Sequence, residues 1–210
     1  MAIPLTKRIR RFLTAPAVGR VRLGDLGAPS AFAGEEPAWP LGIVGAYTDR
    51  FLATRCNALS GRVLLAGEGA RSGAGEAVRL DAAALEGGAG LGEGLNAAVL
   101  AGVLGEVDDP RAVLRRVAAA CRPGAVLIAT LPGVVRAEPS FERVHQWRFS
   151  QHAAQRMFEE VAGTVEVSIF GNLLAAQACA RGLEADQLSQ RELELVDAPY
   201  PLVVGVQATL

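Results

Sequence analysis

Few side chains in this sequence are of types that do chemistry, and they gather in four places. The string Gly67-Glu68-Gly69-Ala70-Arg71-Ser72-Gly73-Ala74-Gly75 is a glycine-rich turn whose backbone can approach a ligand closely. Upstream of it lie Tyr47, Asp49 and Arg50. Tyr47 can hydrogen-bond a ligand carboxylate or cap the core. Downstream, Asp81 closes a short strand candidate that begins at Ala77. The fourth group is the segment 138–148, with Glu138, Glu142, Arg143, His145, Trp147 and Arg148. His145 can act as a general base near neutral pH or serve as a surface or packing residue. Trp147 and Arg148 suit anchoring that segment to the body through stacking or a carboxylate pair.

Other chemistries have no foothold in the sequence. There is no Ser/His/Asp order, phosphate-binding P-loop, His-Glu-x-x-His string or paired metal-ligand motif. Cys56, Cys121 and Cys179 are too scattered for a disulfide framework or a zinc site, and they fit a reducing cytoplasm. With 21 basic and 22 acidic residues the net charge is −1, which provides no drive toward nucleic acid. A small-molecule substrate or a partner protein is the expected ligand. The opening stretch carries Lys7, Arg8, Arg10, Arg11, Arg20 and Arg22 before its first acid, Asp25. That arm can touch an anionic surface, stay mobile or pack as a cap. No run of about 20 apolar residues suggests a membrane span.

The elements that must position these residues can be placed by periodicity. At 210 residues, half of them hydrophobic, the chain suits one α/β domain. The sequence divides into a basic arm and Pro/Gly-rich linker over 1–42 and a single domain over 43–210. Val44, Tyr47, Phe51 and Leu52 recur at helical spacing within 44–57. The run Arg62 to Ala66 reads as a buried parallel strand feeding the glycine turn. Short strands are expected at Ala77 to Asp81 and Leu95 to Leu100, with a surface segment from Gly87 to Gly94 between them. Asp108-Asp109-Pro110 opens a helix with Val113, Leu114, Val117 and Ala120 on one face, and it ends at Arg122-Pro123-Gly124. Ala125 to Leu131 is the next strand. Ser150 caps a further helix that leaves His152 facing solvent; Thr164 to Phe170, a helix from Leu173 to Gly182, and a last strand from Tyr200 to Leu210 complete the order.

The string CRPGAVLIATLPG at 121–133 is similar to the fifth-strand motif of class I S-adenosylmethionine-dependent methyltransferases, and RVLLAGEG at 62–69 sits where their first motif belongs. TDRFL at 48–52, HQWRFS at 145–150, FGNLLAA at 170–176 and the closing Asp197-Ala198-Pro199-Tyr200-Pro201-Leu202 look like a bacterial subgroup found with glycan or natural-product biosynthesis genes. The resemblance spans roughly 43–210. It implies a doubly wound, mostly parallel Rossmann-like sheet with a late antiparallel strand. It also implies a cofactor site for S-adenosylmethionine built from Tyr47, Gly67, Glu68, Gly69 and Asp81, with His145 as the base that deprotonates the methyl acceptor.

One interval departs from that pattern. In the family, a helix of about three turns and a second strand separate the glycine turn from the acid that bonds the cofactor's ribose. Only residues 68–80 separate Gly67 from Asp81, whereas a helix rising ~1.5 Å per residue and a strand returning at ~3.3 Å per residue take roughly 20 residues. The expected sheet therefore lacks or shortens the first crossover helix and the second strand. Val78 to Asp81 then corresponds to the family's third strand. Asn96 also stands where the family commonly has Asp, and Ala101 to Val107 offers small apolar residues, with Glu106 expected in solvent. Two functions are compatible with this pattern: a methyltransferase-like protein of a bacterial small-molecule or glycan pathway, or a cofactor-free, catalytically inactive relative that binds or stabilises a partner.

Overall fold

The computed structural model describes residues 42–88, 90–135 and 146–210, together with the backbone of two short strands near the N-terminus. Those two strands, β1 (Ala17–Val18) and β2 (Val21–Arg22), pair antiparallel within the basic segment. The rest of that arm and His145 lie outside the described residues.

The body is a six-stranded sheet. Its strands are β3 (Ser60–Ala66), β4 (Ala74–Leu80), β5 (Leu95–Ala101), β6 (Cys121–Pro132), β7 (Thr164–Phe170) and β8 (Val203–Thr209), in the spatial order β4-β3-β5-β6-β8-β7. The first four run parallel, and β8 is antiparallel to both β6 and β7. This is the mostly parallel α/β sheet with a late antiparallel strand that the motif order predicts.

Alternation along the strands sends side chains to two cores, as a period of two requires. Leu64, Leu100, Leu127 and Val206 join one core with α2 (Ala82–Gly87), α3 (Pro110–Ala120) and α4 (Gln151–Glu159). Val63, Leu65, Val99 and Ile128 face α1 (Ile43–Arg55) through Phe51 and Leu52. Beside that second core, Tyr47 and Ile43 pack with Ala175 and Ala178 of α5 (Leu173–Ala180). With helices on both faces, the central strands can be apolar throughout.

Several helices start at side-chain caps. Asp109 accepts from the backbone N–H of Arg111 and Ala112 at 3.0 Å, with Pro110 in the first turn; Ser150 accepts from Ala153 N–H and Asn172 from Ala175 N–H. Elements without a strong sequence signal also appear. The short helix α2 falls between two glycine-rich stretches and is capped by Asp81. A five-residue helix, α6 (Gln190–Glu194), forms within the acid-rich stretch Glu184 to Asp197 through a reciprocal cap between Ser189 and Glu192. Strand β6 begins at Cys121, ahead of the expected Ala125, because Cys121 pairs with Leu95 across a register shift.

Candidate functional site

In an open parallel sheet, ligands bind beyond the carboxyl ends of the strands, and most of the sequence-predicted site residues are found at that end. Strand β3 ends at Ala66, and Gly67, Glu68 and Gly69 come next in the chain. Gly67 and Gly69 both have positive φ, at 85° and 76°, so the tight turn expected from these glycines is present.

The chain does not enter a helix after this turn. Residues 67–73 pass back along the sheet as turns and bends, and β4 begins at Ala74. Strand β4 pairs with β3 along its whole length, Ser60 with Ala74 through Ala66 with Leu80. No strand lies between them. The interval between Gly67 and Asp81 therefore contains one strand and no crossover helix. Strand β4 stands beside β3, the place that a second strand would take.

The connection is fixed by protein contacts. An alanine at Gly67 would drive its Cβ into the Ala101 carbonyl oxygen of β5, far inside contact distance, so this glycine permits close packing of the turn against the neighbouring strand. Arg71 donates to the Asp49 carbonyl at 2.9 Å and pairs with its carboxylate at 3.3 Å, tying the loop to α1. Ala70 is buried against the same core as Leu52. A Cβ at Gly69 would meet the Asp49 carboxylate at 3.6 Å.

Asp81 lies one residue beyond the Ala66–Leu80 pair, next to the glycine turn in register. Its Oδ1 accepts from Ala84 N–H at 2.8 Å and caps α2. The strand expected to end at Asp81 ends at Leu80, because the aspartate leaves the ladder to cap the next helix. Glu68 is exposed.

Asn96 has a structural task. Its Oδ1 accepts from Arg62 N–H at 2.9 Å, joining β5 to β3, and its amide fills the space beside Gly61. Glu106, expected in solvent, is half-buried, and its carbonyl accepts from the Gln146 amide. Beyond residues 136–145 the chain returns onto the turn after β5. The backbone N–H groups of Gln146 and Trp147 both donate to the Gly105 carbonyl, and the Trp147 indole donates to the Val107 carbonyl at 2.9 Å. Trp147 thus anchors this segment, as expected, and does so through its indole N–H. His152 is exposed, as its place in the first turn of α4 implies.

Tyr47 faces away from the glycine turn. Its ring lies 6.1 Å from that of Phe170, and burial pushes its hydroxyl up to about 12. The hydroxyl is shielded from solvent and has no hydrogen-bond partner among the described residues. With Ala46 and Arg50 of α1 and Gln190, Leu193 and Glu194 of α6, Tyr47 lines a cavity of about 440 Å³. Sequence reasoning misses this cavity, since half of its wall comes from α6, which in sequence is an acidic stretch without periodicity. The Ser189-x-x-Glu192 capping box is the signal that could reveal it. Among the described residues, no cluster of His, Cys, Asp and Glu could hold a metal ion, and no helix is long and apolar enough to cross a membrane.

No protein-family model matches the chain, and neither does any curated protein. Solved structures do resemble it. A SAM-dependent methyltransferase from Thermotoga maritima is similar over 98% of this chain and 95% of its own, with a TM-score of 0.50 at 12% identity. One from Archaeoglobus fulgidus covers 80% of this chain and 94% of its own, with a TM-score of 0.48 at 12% identity. Another, from Mesorhizobium loti, covers 80% and 98%, with a TM-score of 0.45 at 13% identity.

Proposed function

We propose that this protein, which has the methyltransferase Rossmann-like fold, is a cofactor-free member of that fold and acts as a binding or partner-stabilising module. The observation that carries this reading is the connection from β3 to β4. An anion-binding helix N-terminus after the glycine turn requires a helix there, and residues 67–73 form none. The turn is instead packed against Ala101 and tied to Asp49 by Arg71. The residues present do not fit S-adenosylmethionine: Gly67 is spent on strand packing, Glu68 is exposed, Asp81 caps α2, and Tyr47 faces a different cavity.

The competing reading is a methyltransferase of a bacterial glycan or natural-product pathway, with His145 as its base. One observation favours it: Asp81 stands beside the glycine turn, and its cap to Ala84 engages only Oδ1. Isothermal titration with S-adenosylmethionine and S-adenosylhomocysteine separates the two. The cofactor-free reading expects no heat of binding at about millimolar ligand, and a dissociation constant near micromolar sinks it.

A further inference from the structure

The cavity between α1 and α6 is lined by exposed charges of both signs, Arg50 and Glu194. The Arg50 guanidinium has no hydrogen bond or ion pair within the described residues. Among the described residues, the Glu194 carboxylate, on the α6 side, accepts only from the Gln190 amide at 2.9 Å. These opposite charges share the wall of one cavity, yet they form no ion pair with each other. The same wall includes Ala46, Leu193 and Tyr47.

The Tyr47 hydroxyl adds a second, independent observation. A buried hydroxyl without a partner forgoes a hydrogen bond and keeps its desolvation penalty. Tyr47 is 2% exposed and its oxygen has no partner among the described residues. An acceptor entering this cavity and reaching the hydroxyl would supply the missing bond. The other wall, α6, is only five residues long and is tied to the body by the Asn172 amide, which donates to the Glu192 and Leu195 carbonyls.

We propose that this cavity binds a small amino-acid-like zwitterion, with its carboxylate on Arg50 and the Tyr47 hydroxyl, its ammonium on Glu194, and its apolar body against Ala46 and Leu193. This deepens the binding-module reading and rests on it. A single anion would leave Glu194 opposing it, and a single cation would leave Arg50 doing the same. A ligand carrying both charges satisfies both walls and separates them by its own backbone. The site is distinct from the glycine turn. Ala46, Tyr47 and Arg50 share one side of α1, whereas Asp49 and Leu52 face Gly69 and Arg71 from another.

The chain has two tyrosines, Tyr47 and Tyr200, so the ring resonances of Tyr47 are identified by Tyr47→Phe and report directly on the cavity. The full chain is titrated to about 10 mM with L-phenylalanine, with 3-phenylpropionate, which lacks the amine, and with phenethylamine, which lacks the carboxylate. The proposal expects L-phenylalanine to shift the Tyr47 signals and to bind at least about tenfold more tightly than either analogue. Arg50→Gln removes the advantage over phenethylamine, and Glu194→Gln removes the advantage over 3-phenylpropionate. Tyr47 signals that none of the three moves, or that all three move equally in the parent and both variants, overturn it. Heat from S-adenosylmethionine in a parallel titration, with the L-phenylalanine preference intact, overturns the cofactor-free reading and leaves this one standing.

Discussion

Two parallel crossovers in this sheet do the same topological job by different means. From β5 to β6 the chain uses α3, whose Val113, Leu114 and Val117 cover one sheet face and are fully buried. From β3 to β4 it uses residues 67–73, without a helix. A parallel connection ordinarily takes about a dozen residues or more, usually with a helix, because it must return the length of a strand and cover the sheet. The consequence is visible in the strands. Along β5 every residue but Asn96 is buried, whereas in β4 only Val78 and Leu80 are even half-buried. The short connection leaves β4 as an exposed edge and removes the helix terminus that would face a ligand at the glycine turn.

Substitutions can break this contrast, and the largest effect is expected at the turn itself. Gly67→Ala forces a Cβ into the Ala101 carbonyl at positive φ, and urea denaturation should show a loss of about 2–4 kcal/mol. The α3 crossover should be nearly as sensitive: Leu114→Ala empties a buried site and should cost about 2–4 kcal/mol. If Gly67→Ala were instead neutral, the turn would have room for a ligand and the account of its packing would be wrong.

Asp81 sharpens the comparison. As a cap, its replacement by Ala should cost about 1 kcal/mol, while Asp81→Asn should cost little, since Asn caps equally well. A residue held for a ribose would show no such rescue in ligand binding. Smaller still, Arg71→Ala removes a pair whose side chains are 40% and 55% exposed, and thermal unfolding should register a change of about 0.5 kcal/mol or less.

Alkaline pH probes the groups buried on both sides of the sheet. Burial raises the Cys56 and Cys121 thiols to about 11 and the Tyr47 hydroxyl to about 12. The folded state therefore holds these protons more tightly than the unfolded chain does. Stability should be level below pH ~9 and fall as pH rises from there through 11 and then 12. Stability that rises over that window would contradict the burial of these groups.

Much of the fold is legible in the sequence because its signals are local. The Asp109-Pro110 start of α3, the Ser150 cap of α4 and the continuous apolar runs of β3 and β6 each act within a few residues. The shortage between Gly67 and Asp81 also reads correctly as a missing crossover helix. Its companion inference, that Val78 to Asp81 is a third strand, depends on which strand pairs with which, and pairing is not encoded in spacing. The structure sets β4 directly beside β3, with Asp81 next to the turn. Tyr47 stands out by its residue type, but its surroundings depend on α6, more than 140 positions away. A five-residue helix built from a side-chain cap has too little periodicity to announce itself.

Whether the glycine turn is a packing element or a cofactor cradle can be read from its amide chemical shifts. With S-adenosylmethionine added to about 1 mM, the N–H resonances of Gly67, Glu68 and Gly69 should stay in place if the turn is packed against Ala101. Saturable shifts at these three residues would contradict it.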